Sequence, residues 1–277
     1  MRKVTREDME LGEDDELSTE LSNILGKFHI PNIKEYFRRV RSKKMEPAFI
    51  EHQLPQKAGE YAVIAGKTGI GKTVLALYQA FCLSTGTLFY DYACRKAVVG
   101  YLALEGDDQN MMDRYEKMKK QFPDTGENLR FELLEKERPE VLLRIIENKM
   151  KGCDVVIFDG SRYLVPGDYC NSKDTRNFII SFMRILKVQG VVGIITLQAK
   201  KSDPRYLLSP GDVFSIKGAT ELVDDATTAI LLEKTPHSRS KDEVTLYFAK
   251  TRIATKEMPE IELHFNLDKC IFEKKSL

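Results

Sequence analysis

No C-x-x-C pair occurs in this chain: its five cysteines, Cys82, Cys94, Cys153, Cys170 and Cys270, are scattered and odd in number. That pattern argues against a disulfide framework or thiolate zinc spacing and fits reduced, intracellular thiols in core or surface positions. The N-terminus is acidic, with no basic stretch leading into an apolar run, so no signal peptide is legible. No apolar run approaches the ~18 residues needed to span a bilayer. Neither sign of charge is in excess, since 43 Lys and Arg stand against 42 Asp and Glu. Attraction to nucleic acid or membrane would therefore have to come from local patches. Nothing repeats at solenoid periods, and there is no long low-complexity tract. What remains is the expectation of a soluble cytoplasmic protein with no membrane partner. Its 277 residues, 42% hydrophobic, suffice for one sizeable core and a small appendage.

The pattern along the chain divides it near residue 45. Residues 1 to about 20 are polar and acidic and read as a tail. Leu21, Ile24, Leu25 and Phe28 stand at helical spacing. Ile33 to Lys44 mixes Ile33, Tyr36, Phe37 and Val40 with six basic residues, which predicts a basic amphipathic helix. It would serve either to dock with its charged face in solvent or to contact nucleic acid or a neighbouring subunit. From residue 46 to 277 the expectation is one α/β domain. Apolar strands are predicted at 60–65, 98–104, 129–134, 154–158 and 191–197, with helices at 72–83, 107–121, 139–150 and 174–188 between them. A short hairpin is expected at 89–95. Strands alternating with helices imply a mainly parallel sheet covered on both faces. Four further strands, 227–232, 243–250, 260–265 and 270–273, follow with no clear helix between them and suggest an antiparallel extension on one edge.

One motif carries the chemistry. Gly66-Lys67-Thr68-Gly69-Ile70-Gly71-Lys72-Thr73 matches G-x-x-x-x-G-K-[ST] in full, after the apolar strand Tyr61–Ala65 and before a helix. Glycines let backbone N–H groups converge on phosphate oxygens, and the helix N-terminus adds a favourable dipole. Lys72 is expected to reach the β- and γ-phosphates of ATP, and Thr73 to ligate Mg²⁺.

The other pieces follow from strand ends. Val155–Asp159 is an apolar strand ending in an acid, where the phosphate crevice of a parallel sheet lies, so Asp159 is expected to hold the magnesium shell (the Walker-B acid). Val98–Glu105 also ends in an acid. Were that strand beside the phosphate-loop strand, Glu105 would face the γ-phosphate as general base. Asp107 and Asp108 are alternative acids there, or caps for the next helix. Gln198 ends the strand 193–198 and is either a γ-phosphate sensor or an exposed amide.

Glu105, Asp159 and Gln198 on successive apolar strands resemble the RecA-like core shared by recombinases, DnaB-type hexameric replicative helicases and plasmid RepA-type helicases. The lead-in Leu54-Pro55-x-x-Ala58-Gly59-Glu60 and the late Phe248-Ala249-Lys250-Thr251-Arg252 are similar to the DnaB-type ATPase core, and the resemblance covers roughly residues 45 to 273. It implies that Lys250 and Arg252 are trans-acting fingers that reach a neighbour's ATP site, and hence a homo-oligomer, either a hexameric ring or a filament. It also implies that two loops hold single-stranded DNA: one with Arg162, Tyr163 and Lys173, the other with Lys200, Lys201, Arg205, Tyr206 and Lys217. Both mix basic residues with aromatics, the usual means of gripping single strands without sequence readout. Within residues 1–277 no counterpart is expected of the helical N-terminal domain of the cellular helicases or of the long C-terminal domain of the cellular recombinases. The reading is an ATP-hydrolysing oligomeric motor or helicase acting on single-stranded nucleic acid in DNA replication. A RecA-type recombinase or mediator and a nucleotide-switched regulatory ATPase are the alternatives.

Overall fold

A computed structural model describes residues 34, 38, 48–55, 57–104, 107–123, 125–134, 144, 147–148, 150–160, 171–200, 209–216, 221–254 and 257–275. The chain forms two compact units, Met1–Glu46 and Pro47–Leu277. In the first, Lys34 and Arg38 are helical and exposed. The expected acidic tail and the helix over residues 21–28 lie outside the described residues.

The second unit is built on one sheet, whose nine strands among the described residues run in the order β3-β2-β4-β5-β1-β6-β7-β8-β9. The strands are β1 (Tyr61–Gly66), β2 (Val99–Ala103), β3 (Leu129–Leu133), β4 (Val155–Asp159), β5 (Val192–Gln198), β6 (Thr228–Lys234), β7 (Glu243–Thr251), β8 (Ile261–Asn266) and β9 (Ile271–Lys274). The helices are α1 (Lys72–Thr85), α2 (Asp108–Lys119), α3 (Ser172–Gln189) and the single turn α4 (Glu221–Asp224). All six strands from β3 to β6 are mutually parallel. Only β7, β8 and β9 are antiparallel to the strand before them.

This differs from the sequence expectation in one respect. The strand expected at 227–232 opens no antiparallel extension of its own. As β6 it lies parallel to the central β1, with Ala62 level with Thr228 and Gly66 with Leu232. A parallel return needs a crossover, and residues 199–227 supply it, including α4, which was not expected.

Strands β1, β2 and β4 are buried along their whole length, as befits a parallel sheet covered on both faces. Alternate residues serve two cores. Ala62, Ile64, Tyr101, Ile157 and Ile194 face the α1 side. Tyr61, Val63, Phe158 and Ile195 face α3, which contributes Phe178, Ile179, Phe182 and Leu186 at helical spacing. Burial covers most of α1, from Val74 to Ser84, because the sheet lies on one side of it and Ile271 and Phe272 of β9 belong to the same core. The sequence places α1 as an apolar helix, and its outer side is kept dry by β9, by Phe89 and Tyr90 of the hairpin, and by Tyr115 and Phe122.

Phe89 and Tyr92 exchange both backbone hydrogen bonds, each at 3.0 Å, so the expected hairpin is present as a two-residue turn. Four described cysteines, Cys82, Cys94, Cys153 and Cys270, are free thiols. Burial pushes the Cys94 thiol up to about 12. Among the described residues no helix is long and apolar enough to cross a membrane.

Phe182 is nearly inaccessible and meets three rings, Phe158 at 5.1 Å, Phe178 at 5.3 Å and Tyr61 at 5.9 Å. Phe182→Ala removes that stack and leaves a cavity. It should cost about 3–5 kcal/mol, read as a lower midpoint in denaturant unfolding at unchanged slope.

Candidate functional site

The chain leaves β1 through Gly66 and enters α1 at Lys72, and the loop between them is shaped by its small residues. A Cβ on Gly66 would lie 2.7 Å from the Ile70 side chain and 2.8 Å from the Leu232 carbonyl, so the loop starts in tight contact with β6. Ile70 turns inward and is buried, while Lys67, Thr68 and Gly69 are exposed. Gly69 and Gly71 have φ of 76° and 103°, the latter beyond what an L side chain adopts at low cost. Gly71 also has no room, because a Cβ there would sit 2.4 Å from the Phe272 ring of β9. The Lys72 ammonium donates to the Lys67 carbonyl at 3.1 Å across the loop, and Thr73 is half-buried.

The start of α1 is set apart chemically. Asp107 caps α2, accepting from the Asn110 N–H, and Asn171 caps α3, accepting from the N–H groups of Lys173 and Asp174. That settles Asp107 as a helix cap. By contrast, α1 begins on Gly71 with no side-chain cap and no acid in its first turn. The dipole of such a helix start favours an anion beside it.

The acidic side of the site comes from strand alternation. Tyr101 on β2, Asp159 on β4, and Thr196 and Gln198 on β5 share the parity of the residues facing α1. Asp159 is 4% exposed, and both of its oxygens are engaged. The Tyr101 hydroxyl donates to Oδ2 at 2.9 Å and the Thr196 hydroxyl to Oδ1 at 3.0 Å. Burial, then the adjacent Asp159, raise the Tyr101 phenol well above its ordinary range, so it stays protonated. The Gln198 amide donates to the Thr68 hydroxyl at 2.7 Å, in register with Gly66 on β1. Gln198 therefore touches the loop itself.

Glu105 lies just past β2 and outside the described residues. Its strand is not beside β1, since β4 and β5 stand between them, so the adjacency on which its role was expected does not hold.

Lys250 and Arg252 stand elsewhere. The end of β7 lies level with the start of β6, and the Arg252 N–H donates to the Thr227 carbonyl. Thr227 in turn bonds Tyr61, at the opposite end of β1 from the loop. Five residues of strand, roughly 17 Å, separate that edge from Gly66. There the Lys250 ammonium donates to the carbonyls of Val223 at 2.6 Å and Asp224 at 2.5 Å, and the exposed Arg252 also donates to Asp224. Together they cap α4, whose Leu222 carbonyl accepts from the Tyr61 hydroxyl. Burial and the neighbouring Arg252 lower the Lys250 ammonium below its usual range.

Of the residues expected in the nucleic-acid loops, Lys173 and Lys200 are described and exposed. Arg162, Tyr163, Lys201, Arg205, Tyr206 and Lys217 lie outside the described residues. The second loop is closed at its base: Ala199 bridges Ile216, and the Lys200 N–H donates to the Ser215 carbonyl at 2.6 Å. The Gly211 N–H donates to the Glu233 carboxylate at 2.9 Å.

The donor set fits a magnesium nucleotide. Among the described residues no three His, Cys, Asp or Glu side chains stand together to hold a metal by themselves. A hydroxyl, one buried carboxylate and phosphate oxygens are what Mg²⁺ takes in such sites. Two contributors went unread in the sequence. Tyr101 and Thr196 were legible only from parity: Thr196 lies two residues before Gln198 and therefore on its face. Phe272 falls in the strand expected at 270–273, but that strand did not announce its seat against Gly71.

The AAA domain family matches residues 50–204, more than half of the chain. No curated protein matches the sequence. Among solved structures, one determined as a separate ATPase domain superposes with a TM-score of 0.61 at 17% identity, covering 95% of this chain and 98% of that one. A DnaB-like replicative helicase, solved in a study of its interactions with primase, superposes with a TM-score of 0.59 at 18% identity, covering 93% and 71%. The fold is thus the RecA-like ATPase fold of those two structures.

The two loop glycines should respond unequally to a methyl group. Gly69→Ala meets open space and should cost only the left-handed backbone, about 1–2 kcal/mol. Gly71→Ala adds the collision with Phe272 and should lower the melting temperature further and abolish nucleotide binding, read by thermal denaturation and fluorescent-nucleotide titration.

Proposed function

The chain belongs to the AAA domain family, and on that premise we propose that it is an ATP-hydrolysing, helicase-like oligomeric motor that acts on single-stranded nucleic acid in DNA replication. One observation carries the reading: the uncapped, acid-free start of α1 lies behind the glycine loop 66–73, on the same sheet face as the buried Asp159. Converging N–H groups and a lysine on one side, and a held carboxylate on the other, suit a triphosphate and its metal.

In this mechanism the loop N–H groups and the dipole of α1 bind the phosphates. Lys72 exchanges the Lys67 carbonyl for the β- and γ-phosphate oxygens. Thr73 and Asp159 would hold Mg²⁺, which would supply charge neutralisation at the phosphate oxygens. Glu105 is kept as the base for the attacking water on a different ground from adjacency to β1: its strand borders β4, where the Leu104 N–H donates to the Asp159 carbonyl at 2.7 Å. Gln198, already bonded to Thr68 and the last residue of β5, senses the γ-phosphate and passes its presence directly to the loop that follows.

Lys250 and Arg252 are assigned to a neighbour's site. Their position at the Tyr61 end of β1 supports this, since the length of that strand, roughly 17 Å, separates them from their own phosphate loop. A second copy, in a ring or filament, can present its loop to them. Lys173 and Lys200, with Arg162, Lys201 and Arg205, are the proposed contacts to the strand. The DnaB-like helicase and the ATPase domain that share this fold favour a motor over other uses of the AAA domain.

Purified protein should hydrolyse ATP faster with single-stranded DNA present, and the stimulation should weaken steeply with salt. Lys72→Ala should abolish turnover. Turnover indifferent to every nucleic acid tested would exclude the motor reading while leaving the ATPase. Arg252→Ala should leave nucleotide affinity intact and slow hydrolysis on the order of a thousandfold in the assembled oligomer. An equal loss in the isolated protomer would place Arg252 outside a trans site.

A further inference from the structure

We propose that Tyr101 and Thr196 are positioning residues for the metal site, fixing the Asp159 carboxylate in the plane and rotamer from which it holds Mg²⁺. This rests on the nucleotide-site reading above and concerns the residues behind it.

The hydrogen bonds around Asp159 have a fixed direction. Thr196 has one hydroxyl proton. Its oxygen already accepts from the Gly160 N–H at 2.8 Å, so the proton goes to Asp159 Oδ1. A carboxylate has no proton to give, so the wholly buried Tyr101 hydroxyl is likewise the donor, to Oδ2. Each carboxylate oxygen thus receives one charge-assisted bond from a rigid strand, β2 on one side and β5 on the other. A carboxylate tethered at one oxygen can rotate about its Cβ–Cγ bond, whereas one tethered at both cannot. Each oxygen keeps a further acceptor site for the metal or its bound water.

The tyrosine is itself braced. Its ring stacks on Phe131 of the edge strand β3, with centroids 5.4 Å apart and planes 12° apart. The line Phe131–Tyr101–Asp159–Thr196 therefore crosses four adjacent strands, β3, β2, β4 and β5. Groups that orient a metal-holding carboxylate commonly govern metal affinity without touching the metal.

The test separates metal binding from nucleotide binding. Manganese, as a paramagnetic stand-in for magnesium, is titrated by electron paramagnetic resonance into protein loaded with a non-hydrolysable ATP analogue. Fluorescent nucleotide is titrated separately in EDTA. Tyr101→Phe keeps the ring and its stack and removes only the hydroxyl. It should weaken manganese binding on the order of tenfold and leave metal-free nucleotide affinity unchanged. Thr196→Val should do the same, and Thr196→Ser should restore the wild-type value. Unchanged or tighter manganese binding in both Tyr101→Phe and Thr196→Val overturns the proposal, as does an equal loss of nucleotide affinity with and without metal. A wild-type chain that binds no nucleotide under either condition overturns the site reading as well.

Discussion

The site depends on how one helix begins. Every helix begins with N–H groups that lack an internal partner, and this chain caps α2 and α3 with Asp107 and Asn171. At α1 it places glycine instead and keeps acids out of the first turn. The start of that helix is held by burial rather than by a cap, with Ile70 and Val74 in the core and the Phe272 ring against Gly71. Packing thus stabilises a helix end that would otherwise need its own side-chain acceptor, which suits the anion site proposed there.

The second constraint is the period-two alternation of parallel strands. It sends Asp159, Tyr101, Thr196 and Gln198 to the α1 face while their neighbours Phe158, Leu102, Ile195 and Leu197 enter the opposite core. A one-residue slip in β4 would exchange Asp159 for Phe158 and bury the carboxylate against α3. The same uniform burial that makes these strands easy to see leaves their polar members hard to interpret, because an apolar run ending in an acid does not state what will stand beside the acid.

That limit explains which parts were legible. The turn from β1 into α1 was legible from its spelling alone: an apolar strand, glycines at fixed spacing, then Lys72 and Thr73 opening a helix. Most strands and long helices followed from apolar runs and helical spacing. Strand order did not, and it decided the neighbours of β2. The direction of β6 was also hidden, since an apolar stretch such as Thr228–Leu232 pairs equally well either way. A single turn like α4 has too few residues to show a period. The carbonyls of Val223 and Asp224 that receive Lys250 and Arg252 are backbone, and no side-chain pattern announces them.

The seat of Phe272 against Gly71 has a consequence in time. The phosphate loop is made early in synthesis, yet the ring that backs it arrives about two hundred residues later, in the last strand of the sheet. Contacts so distant along the chain form slowly, because the intervening loop must close first. A nascent chain halted before β9 would carry the complete glycine motif and still lack one wall of its cradle. Competence to grip a nucleotide is therefore acquired late, when translation has delivered nearly the whole domain.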